Sequence, residues 1–126
     1  MAIARKILAA LAWLYVLGVV IQFFLAGLGL PELGGEGMEA HEGLGYSALH
    51  FTPILFLIAA FFAKVGRELM ILIDVFIVVA LVQPLWASEF QGEFLASFHI
   101  IGAAVILALS HEIAQRATRL MRAPTT

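Results

Sequence analysis

The run ILAALAWLYVLGVVIQFFLAGL, residues 7–28, follows directly on Arg5-Lys6 and contains no charged side chain. As a helix it reaches about 33 Å, enough to cross a hydrocarbon core about 30 Å thick. Three further runs are mostly apolar and of similar length: HEGLGYSALHFTPILFLIAAFFA (41–63), ELMILIDVFIVVALVQPL (68–85) and EFLASFHIIGAAVILALSHEIAQ (93–115). Together they predict an all-α, integral membrane four-helix bundle. Residues 1–126 form a single transmembrane domain, with helices at about 7–28, 41–63, 68–85 and 93–115.

Charge gives the bundle a direction. All seven Lys and Arg residues fall at one side of these runs: Arg5 and Lys6, Lys64 and Arg67, then Arg116, Arg119 and Arg122. The other two connections hold no base and carry Glu32, Glu36, Glu39, Glu42, Glu89 and Glu93. Cytoplasmic segments of membrane proteins retain positive charge. The expected topology is therefore N-in/C-in, built from two antiparallel hairpins in the bacterial inner (cytoplasmic) membrane. The short Lys64–Arg67 turn makes the second and third helices neighbours.

Composition narrows the function classes. The chain is 63% hydrophobic and 13% charged, against about 25% charged in an ordinary soluble domain. No basic patch faces outward, which excludes nucleic acid as a partner. There is no cysteine, so disulfides, cysteine-ligated iron–sulfur clusters and covalently attached haem are excluded. A haem held by histidine alone is not. The first run exceeds the ~7–15-residue apolar region of a signal peptide, and no small-x-small site precedes Pro31, so a retained helix is expected. Trp86 is expected as an outer-interface aromatic, and Pro84 is expected to end the third helix. Gln22 and Gln83 are helix–helix hydrogen-bonding groups or contacts for a quinone carbonyl.

Four histidines carry the functional reading. Measured from the cytoplasmic anchors Lys64 and Arg116, His50 lies about 21 Å and His99 about 25 Å along an ideal helix. Both are in the outer half, on the second and fourth helices. His41 lies higher, and His111 sits near the cytoplasmic end. Two imidazoles at matched depth on different helices can hold one haem iron axially. His41 and His50 are about 180° apart on a regular helix, so only one of them faces inward. Phase favours His41, whose face continues through Gly45, Ala48, Thr52, Ala59 and Ala63; small residues let helices or a flat porphyrin approach. Depth favours His50, and Pro53 can rotate the helix locally. Gly102 and Ala103 leave space beside His99. At the inner end, Asp74 and His111 are expected to form a hydrogen-bonded clasp or proton relay. The acidic rim offers a second chemistry: His41, Glu42, Glu39, Glu89, Glu93 and His99 are donors suited to zinc or copper. A short internal repeat aligns Ser47-Ala48-Leu49-His50 with Ser97-Phe98-His99.

At His41-Glu42-Gly43-Leu44-Gly45-Tyr46, and at Leu81-Val82-Gln83-Pro84 followed by Phe98-His99, the chain resembles an uncharacterised bacterial family of small four-helix membrane proteins. There an H-x-x-L-G segment opens helix two and an L-H segment opens helix four. The resemblance covers roughly residues 41–110. In broader outline it is similar to one half of haem A synthase and to other four-helix b-type membrane cytochromes, which implies His41 and His99 as haem ligands. Glu42 stands where those proteins carry a base. The expected function is a membrane b-type haem protein, with one haem b near the extracytoplasmic side between helices two and four. The site residues are His99, His41 or His50, Gly45, Ala48 and Gly102. The expected partners are the lipid bilayer, a quinone and a larger membrane redox complex. An electron-transfer or accessory protein is expected rather than an independent enzyme. The alternatives are a cofactor-free structural subunit of a larger membrane complex and a divalent-metal-handling protein.

Overall fold

The computed structural model describes residues 1–88 and 94–124. It is all-helical: α1 spans Ala2–Leu28, α2 Gly37–Leu44, α3 Thr52–Ala63, α4 Arg67–Ser88 and α5 Ser97–Arg122. Short 3₁₀ turns occupy Pro31–Leu33 and Phe94–Ala96, and a π turn, Gly45–Leu49, joins α2 to α3. Four stretches are long and apolar enough to cross a membrane: Ala2–Leu28, Gly37–Ala63, Arg67–Trp86 and Ser97–Arg122.

The helix ends differ from the sequence reading for local reasons. α1 begins at Ala2, so Arg5 lies inside the helix. Its Nη1 donates to the carbonyls of Leu120 (3.3 Å), in the last turn of α5, and Ala123 (3.5 Å), just beyond it, where carbonyls run short of intrahelical donors. The second crossing begins at Gly37 rather than His41. A β-carbon at Gly37 would lie 2.2 Å from the Leu25 carbonyl oxygen, so the absence of a side chain lets α2 start directly on α1. α4 continues through Pro84 to Ser88, where proline was expected to end the helix. Membrane helices tolerate proline because neighbouring groups take up the hydrogen bonds it disrupts. The predicted start of the fourth helix, Glu93, lies outside the described residues. Its end runs past Gln115 to Arg122, supported by the i,i+4 pair of Glu112 and Arg116 at 2.7 Å.

The bases gather at one end of the bundle. Arg5 touches the end of α5, and Arg116 lies 3.7 Å from Glu68 at the start of α4. Lys64, which closes α3 in the left-handed conformation (φ 52°), is three residues from Arg67. The start of α1, the α3–α4 turn and the end of α5 therefore share one end.

Packing follows what lipid demands. Lipid tails give helices no hydrophobic reason to associate, so close approach of small residues must supply the contact. Ala9, Ala12, Ala59, Ala60, Ala63, Ala80, Ala114 and Ala117 are all buried, and α1 against α5 is the most extensive interface. Tyr15, Phe56 and Phe76 meet at the centre, with centroids 5.0–5.7 Å apart. The outer surface carries Leu14, Phe24, Phe61, Phe62 and Ile100, all well exposed. A water-soluble monomer rarely exposes so much contiguous apolar surface; a bilayer accommodates it.

The π turn has a cause in sequence. Pro53 has no N–H and its ring crowds the carbonyl four residues earlier, that of Leu49. The helix relaxes immediately before it: His50 N–H bonds back to Gly45 O at 2.9 Å, five residues away, and a fresh helix starts at Thr52.

Candidate functional site

His41 and His99 stand together at the end opposite the bases. Their ring centroids are 6.2 Å apart, with planes inclined at 72°. Each ring is held by a glutamine on the neighbouring crossing. His41 donates Nδ1–H to the Gln22 main-chain carbonyl (3.1 Å), and the Gln22 amide returns a hydrogen bond to the His41 carbonyl (3.0 Å). His99 donates Nδ1–H to the Gln83 carbonyl (3.2 Å), and the Gln83 amide donates to the His99 carbonyl. A carbonyl can only accept, so Nδ1 carries the hydrogen in the His41 ring and Nε2 is left as a lone-pair donor. The His99 Nδ1 lies between the Gln83 carbonyl (3.2 Å) and the Gln83 amide nitrogen (3.3 Å), and its contact with the carbonyl calls for the same tautomer. An imidazole with its second nitrogen fixed by a carbonyl is the usual state of a metal-binding histidine.

Two glycines make the clamps possible. A β-carbon at Gly45 would lie 2.7 Å from Gln22 Nε2, and one at Gly102 would lie 2.1 Å from Gln83 Oε1. The room beside these glycines, expected to receive a porphyrin face, is occupied by the two carboxamides. Gln83 is only 9% exposed, and both Gln22 Oε1 and Gln83 Oε1 are buried without a partner among the described residues.

The arrangement corrects the internal repeat. Contacts make Gln22–His41–Gly45 equivalent to Gln83–His99–Gly102, so His99 corresponds to His41 and not to His50. The sequence signal for this was one amide, Gln22 or Gln83, toward the end of each odd-numbered crossing that lies away from the bases. The π turn also breaks the small-residue face. Ala48 is exposed, its carbonyl accepting from Thr52 Oγ1 (2.6 Å), whereas Ala59 and Ala63 remain buried. His50 is half-buried, its ring 5.0 Å from Phe51 and its Nδ1 buried without a partner among the described residues.

The spacing of the ring pair fits one metal ion between them. With about 2 Å from each Nε2 to a metal and about 1 Å more to the ring centre, imidazoles on opposite sides of one ion have centroids about 6 Å apart. Among the described residues no group of three or more His, Asp or Glu is placed to hold a metal; of the acidic-rim donors, Glu89 and Glu93 lie outside them. The Asp74–His111 clasp does not form. Asp74 is exposed on α4, while His111 packs edge-on to Trp13 (5.7 Å) with Gln115 beside it. Trp86 stacks at a tilt on Phe98, 5.5 Å away. No family model, no curated protein and no solved structure matches the chain.

Proposed function

We propose that this chain is a b-type haem protein of the bacterial inner membrane, holding one haem at the extracytoplasmic end between the second and fourth crossings and exchanging electrons with quinone or a partner redox subunit. One observation carries the reading: two imidazoles from different crossings, each with Nδ1 beside a main-chain carbonyl, have ring centroids 6.2 Å apart, close enough to share one metal ion. His41 and His99 would hold the iron, and the haem would supply the redox chemistry. Tyr46 and Ser97 offer exposed hydroxyls for the propionates at an end that has no base. The resemblance to four-helix b-type cytochromes and the unpartnered carboxamide oxygens both support a ligand there.

The bases gathered at one end support an N-in/C-in pair of antiparallel hairpins, which puts the histidine pair on the outer side. A second reading, a cofactor-free bundle within a larger membrane complex, is favoured by the carboxamides that fill the space beside both glycines. Absorption of the purified protein, expressed with ample haem supply, separates the two. A Soret band with split visible bands on reduction is expected; a colourless protein selects the structural reading. Cysteine at position 35, labelled by an impermeant thiol reagent in intact cells while cysteine at 66 is not, is the accompanying result for topology.

A further inference from the structure

α4 buries Leu69, Ile73, Phe76 and Ala80 inside the bundle. Across the helix runs a second stripe, Ile71, Asp74, Val78, Leu81 and Leu85, all exposed. Its alternating steps of three and four residues have the 3.5-residue period of a coiled-coil seam, and every position but Asp74 is apolar. Asp74 lies about 10 Å along the helix from Arg67, inside a crossing 20 residues long. An aspartate side chain is too short to reach the headgroups from there. It forms no ion pair among the described residues; their salt bridges use Glu68 and Glu112. Ionisable groups at membrane depth almost always face protein or pair with one another. This one faces out of the bundle.

We infer that α4 pairs in parallel with α4 of a second copy of this chain along the stripe, the two Asp74 carboxyls sharing one proton. Topology supplies the match. All copies enter the membrane in one orientation, so a twofold axis along its normal brings the two stripes together in register and the two Asp74 side chains to one depth. One carboxyl then donates its O–H to the other's carboxylate, a hydrogen bond that lipid cannot provide. A heptad seam is complementary to itself in a parallel pair, and a single polar position within it fixes the register. A lone basic residue on another protein would satisfy the carboxylate without the four apolar seam positions around it. The contact is separate from the histidine pair, because Gln83, which holds His99, is on the buried side of α4.

The chain has no cysteine, so single cysteines report the contact. In membranes under mild oxidation, Val78→Cys and Leu85→Cys should each give a disulfide-linked dimer. Val75→Cys, equally exposed but off the stripe, should not. In the Val78→Cys background, Asp74→Asn keeps a hydrogen-bonding pair and should preserve the dimer. Asp74→Val removes it and should weaken association about tenfold, the worth of roughly one interhelical hydrogen bond, read as the lipid dilution needed to halve cross-linking. Position 74 is exposed, so both variants should fold. Cross-linking as strong at 75 as at 78 means random collision and overturns the proposal. So does the absence of a dimer at both 78 and 85, a cross-link from 78 to a different protein, or a dimer indifferent to Asp74→Val.

Discussion

Replacing His99 by alanine is expected to abolish the low-spin haem spectrum while leaving the bundle folded. Under the proposed function the side chain would supply one of two iron ligands; in the structure it bonds only to Gln83, at the carbonyl 3.2 Å away. Interhelical hydrogen bonds in membranes are worth about 0.6–2 kcal/mol, too little for their loss to unfold four packed crossings. The spectroscopic effect is thus far larger than the structural one. His41→Ala should behave alike, because its ring faces His99 and is clamped in the same way by Gln22. His50→Ala should keep the spectrum, since its ring lies against Phe51. Loss of haem in His50→Ala with retention in His41→Ala would assign the second ligand to the other side of the π turn.

The second large effect is expected at Gly102. A methyl group there would lie 2.1 Å from Gln83 Oε1, so the carboxamide must move. Its nitrogen is bound to the His99 carbonyl and its surroundings are closed, with Gln83 buried. Gly102→Ala should therefore break the clamp at a cost of about 1–3 kcal/mol and weaken haem retention, read as a lowered Tm and a reduced haem-to-protein ratio. Gly43→Ala is the matched control, because a β-carbon at Gly43 meets nothing within 4 Å. Equal behaviour of the two variants would mean that the glutamine does not position His99.

These two sites show where sequence reasoning reached and where it stopped. The four crossings were legible because a hydrocarbon core demands unbroken apolar length, and the bases at positions 5, 64, 67 and 116 sorted onto one end by charge alone. That His41 rather than His50 meets His99 was legible from helical phase, and the two rings stand 6.2 Å apart. The glutamine clamps were not, since they depend on how α1 sits against α2 and α4 against α5, which periodicity within one helix does not encode. Pro53 was visible as a possible rotation, but the π turn it induces, which exposes Ala48 and half-buries His50, required the backbone. Pro84 misled in the opposite direction, because a membrane helix does not end wherever a soluble one would. Equal depth suggested an Asp74–His111 pair, yet Asp74 is exposed on α4 and His111 packs against Trp13 of α1.

The central claim is that His41 and His99 bind one iron between them. Electron paramagnetic resonance of the oxidised, purified protein tests it most directly, because the ferric signal reports both the number of imidazoles and the angle between their planes. Ring planes 72° apart predict a highly anisotropic low-spin signal, the signature of near-perpendicular axial imidazoles. A high-spin ferric signal, or no haem signal from protein supplied with haem, would contradict the account.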